Sequence, residues 1–370
     1  MKAQHIIEEL LAGVDIQVGG DRPWDIWVED ERLFTRIVRH GSLGAGEAYM
    51  DGWWGSERLD QTMTRIVEAD LARRVHLTPA NVLLFLRSRL ANLQTRRRST
   101  KVAERHYNLG NDLYLSFLDP YNQYTCGYFV DTDDLNEAQQ KKMHMICRKL
   151  QIKASDRVLD IGCGWGGFAR FAAENYGCHV TGVSISTEQV RYAREFCQGL
   201  PVSIEHKDYR DVQGGYDKIV VAGMIEHVGY RNYRGLFEKV HRVLQNDGLF
   251  LLHTIGRTTS ATATDPWIDR YIFPNSMVPS LQQLSGAAEG LFIVEDLHNF
   301  GAQYDPTLMA WQDNLQRNWS TLADHYDDRT KRMFDYYLLS CAGTFRARKT
   351  QLWQMVMTKG ASRSGYTRPQ

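Results

Sequence analysis

The segment VLDIGCGWGGFARFAA, residues 158–173, runs from an apolar stretch through a glycine-rich turn into an amphipathic stretch. This order predicts a strand, a loop and a helix. Its four glycines allow the backbone to approach a ligand closely, at the positive end of the following helix. A glycine pattern alone is a weak signal, but its position between a strand and a helix makes it informative. The segment therefore predicts a ligand-binding turn at the carboxyl end of a strand.

Strand-like and helix-like segments alternate from about residue 134 onward. The predicted strands cover residues 157–162, 179–186, 203–209, 218–225, 248–256, 292–300 and 352–358. Such alternation is typical of α/β proteins, in which helices cover both faces of a parallel sheet. Residues 257–290 are polar and aromatic without a clear period, and we expect them to form a lid.

The amino-terminal residues have a different pattern. Apolar side chains recur at helical spacing in IIEELLAG (6–13) and ERLFTRIVRHG (31–41). GSLGAGEAYMDGWWG (41–55) is rich in glycine and aromatic residues, so we expect a shaped loop there. The sequence thus predicts a smaller, mainly helical domain at 1–100 and a larger α/β domain at 101–370.

The overall charge excludes a strong whole-molecule attraction to nucleic acid or anionic lipid, because 44 basic residues balance 44 acidic ones. Between residues 81 and 106, however, the basic residues outnumber a single glutamate; they are Arg87, Arg89, Arg96, Arg97, Arg98, Lys101 and Arg105. This basic stretch, 87–105, is interpreted either as a solvated linker or as a patch that meets lipid phosphates. No nucleic-acid-binding motif accompanies it.

The compartment is predicted from three absences in the sequence. The first residues, MKAQHIIEELLAGVD, have too few apolar residues and too many acidic ones for a signal peptide. No run approaches the ~18 apolar residues of a membrane span. The six cysteines have irregular spacing that suggests no disulfide framework. We expect a cytoplasmic protein that can visit a membrane surface without crossing it.

Two details restrict the ligand and the chemistry. A dinucleotide site would need an acidic residue at the tip of the second strand. This chain has VSISTEQ (183–189) there, with no acid before Glu188, so a dinucleotide is less expected. The glycine loop suits an adenosine that carries an amino-acid tail better. AGMIEHVG (222–229) ends another strand with Glu226 and His227. Three interpretations of this pair stay open: a proton acceptor, part of a metal site, or neither role.

Several motifs in order identify a resemblance to the cyclopropane-fatty-acyl-phospholipid synthase family. They are HYNLGNDLY (106–114), YTCGYF (124–129), LDIGCGWGG (159–167), GVSIS (182–186), MIEHVG (224–229), LLHTIG (251–256) and FGAQYD (300–305). The resemblance covers essentially the whole chain. It implies a class I methyltransferase fold, which is Rossmann-like with a mostly parallel seven-stranded sheet and helices on both faces, preceded by a smaller helical domain.

The activity implied by this resemblance is transfer of a methylene group from S-adenosylmethionine to a cis double bond in the acyl chain of a membrane phospholipid. A carbocation forms, loses a proton to a bound bicarbonate ion and closes to a cyclopropane ring. Two alternatives stay open: C-methylation that gives methyl-branched or methylidene lipids, and a lipid- or cofactor-binding protein without turnover. The resemblance further implies a peripheral enzyme at the inner face of the cell membrane, with no nucleic-acid partner, and a homodimer formed through the amino-terminal domain.

The cofactor contacts implied by the resemblance fall into four groups. Tyr124 and Thr125 would cover the methionine moiety, where the family more often has serine at the second position. The glycine-loop group is Asp160, Gly162, Cys163, Gly164, Trp165, Gly166 and Gly167. Ser184, Ile185 and Gln189 would lie at the ribose, and Asp208, Tyr209 and Arg210 near the adenine.

The bicarbonate ligands implied by the resemblance are Cys126, Glu226, His253, the Ile255 backbone and Tyr304. A bare carboxylate beside a carbocation would risk forming an ester, so Glu226 is expected to orient the base rather than act as it. A metal site is the alternative, because these are ligand types. Their spacing resembles no chelating motif, so no metal is predicted. Cys341 matches a cysteine assigned to the family's active site, and we expect it to pack near the cofactor.

Overall fold

The computed structural model describes residues 2–71, 110–360 and 365–369. The chain forms two compact units. The first contains residues 1–91, 262–276 and 304–350, and the second contains residues 92–261, 277–303 and 351–370. Residues 262–276 and 304–350 therefore belong to the same unit as the amino-terminal residues. The sequence analysis assigned both segments to the larger domain at 101–370. The boundary at residue 100 stays a prediction, because it lies outside the described residues.

From residue 135 to 257 the described helices and strands alternate largely as predicted, and the helices at 266–271, 281–288, 304–318 and 328–346 were not predicted. The helices are α1 (Lys2–Leu11), α2 (Arg32–His40), α3 (Ser42–Met50), α4 (Leu59–Glu68), α5 (Asn111–Leu115), α6 (Leu135–Lys149), α7 (Gly167–Tyr176), α8 (Thr187–Phe196), α9 (Tyr230–Val243), α10 (Pro266–Tyr271), α11 (Leu281–Ala288), α12 (Tyr304–Asn318) and α13 (Asp328–Arg346). The strands are β1 (Trp27–Val28), β2 (Trp54–Gly55), β3 (Arg157–Ile161), β4 (His179–Ser184), β5 (Val202–His206), β6 (Tyr216–Ala222), β7 (Leu244–Arg257), β8 (Ile293–Asn299) and β9 (Thr350–Thr358).

The second unit is built on a seven-stranded sheet with the strand order β5-β4-β3-β6-β7-β9-β8. The pairs β5–β4, β4–β3, β3–β6 and β6–β7 are parallel, and β8 pairs with β9 in the antiparallel sense. The strand order reverses between β3 and β6. Ligands of open α/β sheets bind at the carboxyl ends of the strands beside such a reversal. The predicted glycine loop follows β3, and the turn that contains Glu226 follows β6.

Both faces of the sheet are covered, which confirms the predicted fold class. Alternate residues of the strands point to opposite faces. Leu159, Ile219 and Phe250 belong to a core that includes apolar residues of α9 and α11. Val158, Val220 and Leu251 belong to a second core that includes residues of α6, α7 and α8. The near-continuous apolar runs of the central strands follow from this double burial.

The first unit is mainly helical, as predicted, but the expectation of a loop at 41–55 is wrong. Ser42–Met50 form α3, and Trp54–Gly55 form β2. A Cβ added to Gly46 would lie 2.4 Å from the Trp267 indole, so this glycine serves close packing against α10 within a helix. Trp54 is buried, and its Nε1 donates to the Ala45 carbonyl at 2.8 Å.

The segment 257–290, where the sequence shows no clear period, contains two helices, and its role as a lid stays a prediction. Helix α10 begins after Asp265, whose carboxylate accepts from the backbone N–H of Trp267. Helix α11 begins after Ser280, which forms a reciprocal capping box with Gln283. The two helices also belong to different units, because 262–276 lie in the first and 277–303 in the second. The sequence pattern did not predict these helices, because six and eight residues are too few to show a clear apolar period.

Candidate active site

Glu226 stands just beyond β6, in a short 3₁₀ turn at Ile225–His227. Its Oε1 accepts from the Ile255 backbone N–H at 2.8 Å and lies 2.9 Å from the Thr254 hydroxyl. The side chain is buried, and its Oε2 has no hydrogen-bond partner among the described residues. Burial raises the pKa of this carboxyl above its usual value. One oxygen is therefore fixed by β7, and the other can still bind a donor.

His253 lies in β7 at the position that pairs with Ala222 of β6, so it shares the strand end with the Glu226 turn. Its Nδ1 is 3.2 Å from the Gln354 side-chain nitrogen of β9. An amide N–H donated to Nδ1 leaves the ring proton on Nε2. The Nε2 atom is buried and lacks a partner in the part of the chain that the structure describes. Burial, with Lys142 and Lys149 nearby, holds the pKa of His253 well below its usual value, so the ring is a neutral donor.

The Ile255 main chain hydrogen-bonds with its neighbours, and its place at the anion stays a prediction. Its N–H donates to Glu226, and its carbonyl lies 2.8 Å from the Thr254 hydroxyl. Thr254 was missed in the sequence, although it sits inside LLHTIG between two predicted site residues. Gln354 was also missed, because it is about one hundred residues from the histidine that it orients. The neighbouring His227 has a pKa lowered to about 4 by burial, so its ring is neutral near pH 7.

Cys126 is fully buried and lies in the second unit with Glu226 and His253. The charge of Lys142 acts on both Cys126 and His253. Tyr304 and Cys341 belong to the first unit. There, Tyr304 opens α12 and stacks edge-to-face on Phe345 at 4.4 Å. Their places in the site stay predictions.

The Cys341 thiol is poorly suited to nucleophilic attack. It lies within α13 and is only partly exposed. Desolvation, with a smaller contribution from Asp265, raises the pKa of the thiol to about 12. A thiolate is the reactive form of cysteine, and it is scarce near neutral pH at such a value. The expected packing of Cys341 near the cofactor stays a prediction.

The glycine loop has the backbone conformation that a close ligand requires. Gly162 and Gly166 have φ values of 85° and 84°, in the left-handed region that favours glycine. A Cβ added to Gly167 would lie 1.6 Å from the Tyr121 carbonyl oxygen, so no side chain fits where α7 begins. Gly164 is also left-handed, and Cys163 is buried beside it. The first turn of α7 thus presents its backbone N–H groups at the loop.

Asp160 supplies an acceptor at the base of this loop. It is the fourth residue of β3 and is buried, and its Oδ2 has no partner among the residues that the structure describes. Burial raises the pKa of this carboxyl to about 7, against an opposing effect of Lys142. An orphaned buried acceptor beside a glycine cradle fits a ligand that brings its own donors. Ribose hydroxyls and an ammonium group, both present in S-adenosylmethionine, meet this requirement.

Aromatic rings connect the two predicted cofactor segments. The Tyr114 ring lies 5.4 Å from that of Tyr124 and 5.7 Å from that of Trp165. The Trp165 indole N–H donates to the Asn111 side chain at 3.0 Å. These contacts place YTCGYF and the glycine loop on one aromatic cluster. Apolar walls of this kind keep water from a reactive cation.

The residues predicted at the ribose and adenine lie at the ends of β4 and β5. Ser184 ends β4, and its hydroxyl is 3.4 Å from the Gln189 side-chain oxygen. The Ile185 carbonyl accepts from the His206 ring at 3.0 Å. Past β5, Asp208 caps a 3₁₀ turn and pairs with Arg210 at 2.8 Å, and Arg210 lies over the Tyr209 ring. Their contacts with a cofactor stay predictions.

The strand order, the glycine cradle and the acidic end of β3 define the class of the protein: it is a Rossmann-like methyltransferase of the S-adenosylmethionine-dependent type. Residues 94–355 match the family model described as mycolic acid cyclopropane synthetase. The chain belongs to this family.

Three relatives show how far the similarity extends. The cyclopropane-fatty-acyl-phospholipid synthase of Escherichia coli strain K12 is 49% identical over 355 residues, which are 96% of this chain and 93% of the relative. The cyclopropane synthase MmaA2 from Mycobacterium tuberculosis has 27% identity and a TM-score of 0.66, covering 73% of this chain and all of that one. Mycolic acid cyclopropane synthase CmaA1, solved with SAH and CTAB, has 28% identity and a TM-score of 0.65, covering 70% of this chain and 98% of that one.

The buried Asp160 gives a prediction about pH and stability. Its folded pKa of about 7 lies above the ordinary 3.8, so the folded protein binds more protons than the unfolded one between these pH values. The free energy of unfolding should therefore decrease from about pH 4 to about pH 7. Asp160→Asn should remove this decrease and stabilise the ligand-free protein at pH 7.5, by a few kcal/mol at most.

Urea unfolding of the ligand-free protein at pH 5 and pH 7.5 measures the effect. Asp133→Asn, the same change at an exposed loop position, is the matched control and should leave the pH dependence as in the wild type. Parallel pH profiles for the wild type and Asp160→Asn would contradict the assignment.

Proposed function

We propose that this enzyme uses S-adenosylmethionine to build a cyclopropane ring on a cis double bond in an unsaturated acyl chain of a membrane phospholipid, and that a bound bicarbonate ion takes the proton. Family membership carries the ring-forming activity. The pair of unpaired buried atoms, Glu226 Oε2 and His253 Nε2, carries the proposal of an anion.

The two side chains have complementary hydrogen-bonding roles toward bicarbonate. The neutral His253 ring offers an N–H at Nε2, which can donate to an anionic oxygen. Glu226 Oε2 is an acceptor, and bicarbonate carries one O–H that can donate to it. The hydrogen bond from bicarbonate to Glu226 offsets the repulsion between an anion and a carboxylate. The Ile255 N–H acts through Glu226, whose other oxygen it fixes.

S-adenosylmethionine supplies an electrophilic methyl group that the alkene attacks. The chain's own residues then have two tasks. They exclude water from the cation, for which the cluster of Tyr114, Tyr124 and Trp165 is suited. They also hold the proton acceptor in place, so that Glu226 need not approach the cation itself. Tyr304 and Cys126 complete the proposed anion ligands by resemblance.

Glu226→Gln tests the anion site. An amide at this position exchanges an acceptor for a donor where bicarbonate must donate, so we expect turnover to fall by about 100-fold or more. Affinity for S-adenosylhomocysteine should stay within threefold of the wild type. The assay follows labelled S-adenosylmethionine into unsaturated phospholipid vesicles, with and without removal of bicarbonate. Wild-type turnover should fall when bicarbonate is removed.

The matched control is Glu238→Gln, the same change at an ion-paired surface position of α9, which should keep full turnover. Full turnover by Glu226→Gln, or by the wild type in buffer depleted of bicarbonate, would contradict the anion site while leaving the ring-forming activity intact. Proton NMR of the lipid product separates a cyclopropane from a methylidene or methyl-branched chain. Absence of label in lipid under all conditions would instead remove both enzymatic interpretations.

We further propose that the enzyme acts as a peripheral homodimer at the cytoplasmic face of the membrane. No helix within the described ranges has both the length and the apolar character to cross a bilayer. The basic stretch 87–105, which we propose to meet lipid phosphates, lies outside the described residues. The dimer rests on the family resemblance alone, and light scattering of the purified protein tests it directly.

Charge reversal tests the basic stretch. Replacing Arg96, Arg97 and Arg98 with glutamate should lower the partition coefficient on vesicles that contain anionic lipid, since each basic residue near such a surface contributes about 1 kcal/mol. The loss should shrink as salt is raised, because ions screen exposed charges. Arg191→Glu, at an exposed position of α8, is the control. An unchanged partition coefficient would assign the stretch to a solvated linker.

A further inference from the structure

Lys142, in the middle of α6, is an almost completely buried lysine that the cofactor motifs do not include; its exposed fraction is 1%. Its ammonium donates to Gln123 Oε1 at 2.6 Å and to the Thr125 hydroxyl oxygen at 2.8 Å. Both hydrogen-bond partners are neutral, and the buried carboxylates of Asp119 and Asp160 act on the ammonium through their charge. Burying an ammonium group costs several kcal/mol unless its surroundings compensate. The direct hydrogen bonds of this ammonium nevertheless go to Gln123 and Thr125 rather than to a carboxylate.

The consequence of this contact falls on Thr125. A threonine hydroxyl has one proton and two lone pairs. Because the Lys142 ammonium can only donate, it occupies a lone pair, and the Thr125 O–H must donate elsewhere. Gln139, one turn before Lys142 on the same buried face, donates its side-chain N–H to the Thr125 carbonyl at 2.8 Å. Helix α6 therefore fixes both the main chain and the hydroxyl of Thr125.

The fixed segment is the one that the resemblance assigns to the methionine end of the cofactor. Tyr124 and Thr125 open the YTCGYF motif, directly after Gln123, which Lys142 also holds. The amino-acid end of S-adenosylmethionine carries a carboxylate, which accepts hydrogen bonds. A hydroxyl that is held with its proton free is a suitable donor to it.

We propose that Lys142 is a positioning residue for the cofactor: it holds Thr125 so that its hydroxyl donates to the carboxylate of the amino-acid end of S-adenosylmethionine. This role of Lys142 rests on one part of the proposed function, namely that S-adenosylmethionine binds at the glycine loop. It makes no use of the bicarbonate ion or of the lipid.

Two ligands separate positioning from general damage. S-adenosylhomocysteine contains the amino-acid end, and methylthioadenosine has the same nucleoside and sulfur but lacks the amino acid. Lys142→Met should weaken binding of S-adenosylhomocysteine about tenfold in calorimetry and leave binding of methylthioadenosine within twofold. Thr125→Val should have the same selective effect, and Thr125→Ser, which keeps the hydroxyl, should retain wild-type affinity.

The double variant Lys142→Met/Thr125→Val tests whether the lysine acts through the threonine. It should bind S-adenosylhomocysteine no more than about twofold more weakly than either single variant, because each change removes the same hydrogen bond. Lys149→Met is the matched control. That lysine is also buried on α6 and lies near Asp296 and His298 rather than the cofactor segment, so its loss should leave both affinities unchanged.

Three results would overturn the proposal. One is that Lys142→Met loses affinity for S-adenosylhomocysteine and methylthioadenosine equally, which would indicate that the lysine has only a structural role. Another is additive losses in the double variant. The third is wild-type affinity in Thr125→Val, a variant that keeps the lysine and so remains informative if Lys142→Met fails to fold. Failure of the proposed function would look different, since the wild type itself would then bind no S-adenosylhomocysteine.

Discussion

A buried polar atom must find a hydrogen-bond partner, and this constraint shapes the carboxyl edge of the sheet. Glu226 satisfies it with one oxygen, through the Ile255 N–H, and His253 with one nitrogen, through Gln354. The second atom of each side chain has no hydrogen-bond partner among the described residues. Leaving such atoms permanently unpaired would cost about 1–3 kcal/mol each. The arrangement favours a small ion that both accepts and donates.

The fold supplies this arrangement by placing β3 and β6 side by side at the point where the strand order reverses. The glycine loop follows β3 and the Glu226 turn follows β6, so the two candidate site segments lie at one edge of the sheet. Helix α6 supports the same edge through Gln139 and Lys142. Strands β7 and β9 and helix α6 supply the contacts that fix Glu226, His253 and Thr125.

The sequence predicted the parts that depend on local pattern, and it missed those that depend on distant packing. Apolar alternation and the glycine loop predicted the fold class, because both reflect burial within a few residues. The loop expected at 41–55 was wrong because Gly46 packs against Trp267, a partner more than two hundred residues away. The orientation of His253 by Gln354 and the anchoring of Thr125 by Lys142 were missed for the same reason. Local pattern predicts whether a residue lies in a strand, a helix or a turn. The side chain that it contacts elsewhere in the sequence is known only from the fold.

The central claim is that Glu226 and His253 together hold an anion, and a crystal structure of the protein grown with S-adenosylhomocysteine and bicarbonate tests it most directly. The account predicts planar three-lobed density within hydrogen-bond distance of Glu226 Oε2 and His253 Nε2. Density for water alone at both atoms, or a direct bond between the two side chains that leaves no room for an ion, would contradict it.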